Sequence, residues 1–583
     1  VTTCVLAATG FDSGPLLLVI AVVLLAAGSA AWLLLGRRKR GASAAVFAAV
    51  PLLVLALIAS GGVSATPASA AELCPPGMSA PVTTTPTTTG PVTPIDFEPG
   101  AAGIGDSYFP LDGNGGYDVQ HYDLDLAYAP DTDVISGTTT VTAVATQNLS
   151  AFNLDFDTRD VNGDDAITIS SITVDGEAAT WSLASTQISK STGQPQAEGS
   201  GDDNATPPRT ELTVVPPAGI PLGATITTAV TYSGVPIVVD DAFGPAGMFP
   251  TPTGAVVVGQ PRVAATWFPS NDHPSDKATF STRMTVPTGL KVIGNGRLAG
   301  QSTTGGFDTF DWEMEKPMAT YLATATVGDF DVEPTTVDGI TYVDAIDQTL
   351  FDRDVDGAPG VKVGDIASQI FATEPEVIDF LSTYFGPYPF SEAGGIAIGY
   401  IDEGSGTDLP YALENQTRPI YPAWAFPADV DASVVVHELA HQWYGDNLSM
   451  NRWSDIWLNE GFATYAEWLW EEHQGGKTTQ QSFDSKYSRS SNSPFWQTIV
   501  ADPGAAGIFD DAVYSRGAMT LQALRVEVGD DAFFAILKGW ATENAGTSVS
   551  TAQFVDYAES VSGKDLTDFF NTWIYTAGKP ALD

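Results

Sequence analysis

His437-Glu438-Leu439-Ala440-His441, with Glu460 nineteen positions further on, constrains this chain more than any other feature. Four residues is about one helical turn, so both imidazoles leave the same face of a helix and can reach one metal ion. Glu438 stands beside the first of them, placed to hold a water and take its proton. The interval to Glu460 lets the first helix end, turn, and hand over to a second helix that returns a carboxylate. Two histidines and one carboxylate leave zinc an open fourth position, the arrangement of catalytic sites. A histidine pair buried only for packing is the competing reading. The flanks Val434-Val435-Val436 and Trp443-Tyr444 are too apolar for a helix standing in water. The chain has only five histidines, the others being His121, His273 and His473, so this register is not a product of histidine abundance.

A length of 583 residues allows several domains and a large core. The balance of 70 acidic against 25 basic residues gives a net charge of −45. Such a chain repels nucleic acid and anionic lipid, and the expectation is a solvating acidic surface with no nucleic-acid partner. Cys4 and Cys74 are the only cysteines. Both precede the region expected to fold, so thiol catalysis and cysteine metal ligation are excluded there.

Residues 1–74 read as a membrane or signal segment with two apolar spans. Pro15 to Leu35 is uncharged and long enough to cross a bilayer; Arg37-Arg38-Lys39-Arg40 follows, then an uncharged stretch from Gly41 to Ala70. Basic residues held in the cytoplasm make this a hairpin, with Cys4 and Cys74 on the outer face and able to pair. Alternatively, the basic run, the apolar stretch and Ala68-Ser69-Ala70 form a signal peptide cleaved near Ala71. Both readings put the rest outside the membrane, on the extracellular face or secreted. Leu6-Ala7-Ala8-Thr9-Gly10, an apolar span and a basic tail also resemble a sortase sorting signal of Gram-positive bacteria, although such signals belong at a carboxyl terminus.

Residues 75–106, rich in Pro and Thr, read as a linker. Alternating runs such as His121-Tyr122-Asp123-Leu124-Asp125-Leu126 predict an antiparallel all-β domain over 107–332. Helical signals dominate 333–583, with one amphipathic helix expected from Ile366 to Leu381, and strands at Ile396 to Ile401 and Tyr411 to Arg418. Asp352 to Gly357 has the first half of a calcium loop, but Val363 stands where a bidentate Glu is required, so an acidic turn is expected.

Taken together, several runs resemble the zinc aminopeptidases of the aminopeptidase N and leukotriene hydrolase group, the gluzincins. They are His437-Glu438-x-x-His441 with Glu460, Tyr411-Ala412-Leu413-Glu414-Asn415, Trp267 to Pro274, Tyr514-Ser515-Arg516-Gly517-Ala518, and Trp573-Ile574 with Gly578-Lys579-Pro580. The resemblance covers about residues 107 to 583. It implies a thermolysin-like, mostly helical α/β catalytic domain over 333–583 after the β domain, and one zinc ion per chain on His437, His441 and Glu460. It further implies that Glu438 is the general base toward a zinc-activated water and that Tyr514 donates to the oxyanion. Glu414 would bind the free α-ammonium of a peptide substrate, with Gln260 and Ala412 in the same substrate-binding set. Glu467, seven residues after Glu460 and on the same helical face, is read either as orienting a zinc histidine or as a surface residue. Tyr411 and Leu413 stand where the family carries Gly and Met, and Gln260 stands where a charged Glu is common. Many relatives continue into a helical domain roofing the cleft; this chain stops at Asp583, so a more open site, or one covered by another chain, is expected. The resemblance thus implies a zinc aminopeptidase, and the amino-terminal segment makes it an exported or membrane-tethered one. An endopeptidase, an epoxide hydrolase or a non-enzymatic surface-binding protein on the same scaffold are the rivals.

Overall fold

The computed structural model describes residues 96–160, 162–196, 208–402 and 404–582. The expectations for residues 1–74, and for most of the linker, lie outside these. No helix among the described residues is long and apolar enough to cross a membrane.

The β-rich part is built around an eight-stranded sheet. Its order is Arg297–Thr304, Phe307–Met318, Ala278–Pro287, Tyr117–Ala129, Val134–Ala145, Thr225–Gly234, Ile167–Val174 and Glu177–Ala178. Alternation dictates its faces: Tyr122, Leu124 and Leu126 are buried while Asp123 and Asp125 are exposed. Upstream the buried set is Tyr117 and Val119, out of step with Tyr122 by one residue. A register shift between Val119 and His121 absorbs that extra residue. The sheet is antiparallel except where Ala278–Pro287 runs parallel to Tyr117–Ala129. A four-stranded sheet (Glu98–Pro99, Leu149–Asp155, Arg209–Val215, Thr180–Thr186) shares its core.

A five-stranded sheet that includes Gly254–Val258 and Ala325–Gly328 leads toward the helical part. There Phe330–Val337, Ile340–Asp347, Ile396–Ile398 and Ile420–Pro422 form a mixed sheet. Val256, Val258 and Ile293 from the first sheet meet Ile396, Ile398 and Ile420 from the second, together with Leu413, in one apolar cluster. Leu413 thereby anchors the residue that follows it, Glu414.

Three expectations are settled by local chemistry. The single helix from Ile366 is two, α1 (Val363–Phe371) and α2 (Glu374–Phe385), because Pro375 cannot continue the first helix and instead opens the second. Tyr411 to Arg418 is not a strand. The Arg418 amide closes a turn on the Asn415 carbonyl at 2.7 Å, Thr417 has φ 65°, and Leu413 pairs back onto Ile420. Asp352 to Gly357 runs into the turn of a short hairpin of Asp354–Val355 and Ala358–Lys362, in which Lys362 pairs with Asp354 at 2.7 Å.

Helices α3 (Ser433–His441) and α4 (Trp457–His473) cross at the centre of the helical part, followed by α5 (Gly517–Val528). α4 and α5 touch through Gly461 and Gly517. A Cβ on Gly517 would lie 2.9 Å from the Gly461 Cα, so only glycine permits the approach.

Candidate active site

Helix α3 buries Val435, Val436, Leu439 and Ala440, which turns His437, Glu438 and His441 toward α4. Glu460, in the first turn of α4, places Oε2 3.2 Å from His437 Nε2 and 3.4 Å from His441 Nε2. The outer nitrogens are committed elsewhere. His437 Nδ1 donates to Glu467 Oε1 at 2.6 Å, and His441 Nδ1 donates to the Tyr444 carbonyl at 3.0 Å. Both acceptors lack a proton, so each imidazole carries its hydrogen on Nδ1 and turns an Nε2 lone pair inward. Two such lone pairs and a buried carboxylate oxygen, mutually within 4.8 Å, repel one another unless a proton or a metal cation lies among them. This N₂O set, with its imidazoles oriented from outside, fits zinc.

Glu438 is buried, and burial pushes its carboxyl up to about 8 even with His437 and His441 beside it. Its carboxylate, Glu414 and His441 form a second group with ligand atoms within 4.8 Å. A divalent cation nearby opposes the rise and favours the carboxylate form. Glu414 is also pushed up by burial. Its Oε1 accepts from Gln260 Nε2 at 2.6 Å and from the Tyr321 hydroxyl at 2.9 Å. The segment that carries it is clamped to the metal helix through Gln442, whose Nε2 donates to the Glu414 carbonyl at 3.3 Å and whose Oε1 accepts from the Thr417 amide at 2.8 Å.

Tyr514 lies in a single π-helical turn, Ala512–Arg516, just before α5. Its ring stacks on that of His437, 6.0 Å apart and inclined by 22°. Burial and the carboxylates of Glu460, Glu414 and Glu438 hold its hydroxyl protonated, well above the usual range, so it stands in the cleft as a hydrogen-bond donor. Arg516 pins the turn by donating to the carbonyls of Trp496, Thr498, Thr572 and Thr576.

Gln260, Ala412, Glu414, Glu438 and Tyr514 all line one cavity of about 530 Å³, together with the three metal-type ligands and Glu467. Its wall contains no Lys or Arg. The structure thus brings together every site residue expected from the sequence. Glu467 is not a free surface side chain but the partner of His437. Tyr321 was not foreseen; it lies in a short turn, Thr320–Leu322, with no periodic or motif signal of its own.

A β-rich part joined to a helical part that sets two imidazoles and a carboxylate over an acidic cleft is the arrangement of a zinc metallopeptidase. The comparisons narrow this. Residues 374–573 match the Peptidase family M1 domain and residues 254–322 match the Peptidase M1 N-terminal domain. Both matches are to domains of peptidase family M1. The chain is similar to aminopeptidase M1-D of Oryza sativa subsp. japonica, 28% identical over 335 residues, 54% of this chain and 36% of that protein. It is also similar to leucyl aminopeptidase of Saccharolobus solfataricus, 29% identical over 344 residues, 55% of this chain and 40% of that protein. The chain therefore spans well under half the length of these curated relatives. The M1 zinc metallopeptidase of Deinococcus radiodurans superposes with TM-score 0.66 at 28% identity, covering 82% of this chain and 98% of that one. Yeast LTA4 hydrolase, at 18% identity and TM-score 0.59, shares the fold, with 80% of this chain and 69% of that one covered.

Proposed function

We propose that this chain is an aminopeptidase that releases amino-terminal residues from peptides outside the cell, with Glu438 as general base. The observation that carries the exopeptidase reading is Glu414, a carboxylate 2% exposed, at the wall of the cleft and within ligand distance of Glu438 and His441. A fixed negative charge there is matched by a free α-ammonium and left unpaired by a blocked one. A mutant of the Deinococcus relative was crystallised bound to a Tyr-Ser-Ala substrate.

In this reading His437, His441 and Glu460 hold zinc, whose chemistry when bound is to polarise a carbonyl and acidify water. Glu414 and Gln260 hold the substrate's amine and thereby set which peptide bond reaches Glu438. Glu438 takes a proton from the attacking water and returns it to the leaving amine. The Tyr514 hydroxyl donates to the oxyanion that develops on the scissile carbonyl. Glu467 and the Tyr444 carbonyl keep both imidazoles turned inward. The extracellular location rests on the basic and apolar runs of residues 1–74; protease shaving of intact cells tests it, and protection of the catalytic part would refute it.

Aminoacyl fluorogenic substrates compared with their N-acetyl forms test the activity. The free-amine forms are expected to turn over at least about a hundredfold faster, from the few kcal/mol that an unpaired buried charge costs. Glu414→Ala is expected to shrink that ratio with zinc retained. Equal cleavage of both forms by the wild type would instead make the protein an endopeptidase.

A further inference from the structure

The amine site is built from both parts of the molecule. Glu414 comes from the helical part, while Gln260 and Tyr321 come from the β-rich part, 154 and 93 residues away along the chain. Both of their donors fall on Oε1 of Glu414. An oxygen that already accepts two hydrogen bonds has little capacity for a third, so the ligand is left Oε2. The same bond orients Gln260: with Nε2 committed to Glu414, its side-chain carbonyl is the atom left for the cleft.

Tyr321 is itself held from behind. It is 1% exposed, and its ring packs against Trp453 with centroids 5.6 Å apart. The Trp453 amide donates to Asp106 Oδ2 at 3.0 Å, and His273 Nε2 reaches the same oxygen at 3.3 Å. The phenol is therefore fixed by packing and aimed at one carboxylate oxygen, in a position where no substrate group needs to touch it.

We infer that Tyr321 is the positioning residue of the amine site: it fixes the Glu414 carboxylate so that a substrate's ammonium meets Oε2 of Glu414 and the carbonyl of Gln260 as a preset pair of acceptors. This rests on the aminopeptidase reading and adds a residue that acts on the peptide only through Glu414. Its signature is in binding: losing the hydroxyl frees the carboxylate to rotate and leaves its Oε1 short of one donor. The attacking water, Glu438 and Tyr514 are untouched.

Tyr321→Phe keeps the ring against Trp453 and deletes the donor alone. The expected result is a rise in KM of about tenfold or more for free-amine substrates, the scale of a hydrogen bond to a charged group, with kcat within about twofold. N-acetyl substrates are expected to be unaffected, so the preference for a free amine falls by the same factor. In a Glu414→Gln background the same substitution is expected to change KM by less than about twofold. Equal loss on free and acetylated substrates, or an unchanged KM with a lowered Tm, would reduce Tyr321 to a packing residue and overturn the inference. If Tyr321→Phe does not fold, 3,5-difluorotyrosine at position 321 keeps the shape and alters only the acidity of the hydroxyl. It is expected to shift KM for free-amine substrates alone, and an equal shift for both substrate types overturns the inference. If the wild type itself shows no preference for a free amine, the aminopeptidase reading fails first, whatever Tyr321 does.

Discussion

Two clusters of buried charge in this molecule invite comparison, one in the β-rich part and one in the cleft. In the first, Asp112, Asp155, Asp157 and Asp272 surround Arg209 and Arg262, all of them buried. Arg209 lies 3.2 Å from Asp112 and is also bonded to Asp155, and Arg262 lies 3.2 Å from Asp157. The remaining oxygens are taken largely by backbone: Asp155 accepts from the amides of Gly113 and Asp272, and Asp272 from that of Ala265. In the second, Glu414, Glu438 and Glu460 face a wall with no Lys or Arg. Burial alone therefore does not distinguish the two sets; what sets the cleft carboxylates apart is that they open on a cavity with no Lys or Arg in its wall. Glu438 accepts no hydrogen bond from another side chain or amide of the described residues and opens on the cavity, whereas Asp155 is fully engaged.

The sharpest way to break the comparison is to take the charge from the uncommitted carboxylate. Glu438→Gln is expected to lower kcat by about 10²–10⁴ while metal content, measured by atomic absorption, stays at the wild-type level. The fold is expected to stay intact, because no partner loses a bond. Near-normal turnover in a metal-replete variant would place the base elsewhere.

The reverse change belongs to the committed cluster. Arg209→Met leaves Asp112 and Asp155 buried without their cation and is expected to cost about 3–5 kcal/mol of stability in urea unfolding. Burial already pushes Asp112 up to about 7 with Arg209 present, so the variant is expected to take up protons there rather than keep the charges. Activity per folded molecule is expected to hold, since the cluster does not line the cleft. A loss of kcat at full folding would show that the two clusters are coupled.

Sequence and structure divide along the same line. His437, His441, Glu460 and Glu467 were legible because spacings of four and seven fix helical faces before any tertiary contact forms. The acidic excess, read as a solvating surface, conceals Asp155, Asp157, Asp272 and Asp446, which are buried. Composition counts carboxylates but cannot say which of them meet an arginine or an amide across the fold. The same limit hid Tyr321, whose partner is 93 residues away. It also misread Tyr411 to Arg418, where residues fit for a strand are bent back by the turn at Thr417 and by Gln442 at the end of a neighbouring helix. Long-range pairings override local propensity where backbone donors and acceptors find partners in other elements.

A smaller effect sharpens the metal side. Glu467 is the carboxylate that lies outside the ligand shell, holding His437 Nδ1 at 2.6 Å. Glu467→Gln keeps an acceptor but loses the charge that strengthens the imidazole as a ligand. Zinc affinity, measured by competition with a chelator, is expected to fall about 10–100-fold. Unchanged affinity would mean that packing alone orients His437.

The smallest expected effect tests a carboxylate that belongs to neither cluster but joins the two parts. Asp106 is 3% exposed, and its oxygens accept from the amides of Tyr108 at 2.7 Å and Trp453 at 3.0 Å and face His273 Nε2 at 3.3 Å. Trp453 stands just before α4, so this one residue ties the entry of the β-rich part to the helix that carries Glu460. Burial alone would raise its carboxyl, but the bonds from His273, Trp453 and Tyr108 outweigh burial and hold it below the usual carboxylate range. A native value below the unfolded one means that the charge stabilises the fold above about pH 4, and that this contribution is lost as the pH falls through the native value. Asp106→Asn keeps the shape without the charge and is expected to cost about 1–2 kcal/mol at neutral pH. The gap between wild type and variant, read from urea midpoints, is expected to close on acidification. A gap that holds constant down to about pH 3 would show that Asp106 acts by shape and amide acceptance rather than by charge, and would leave the joint between the two parts insensitive to acid.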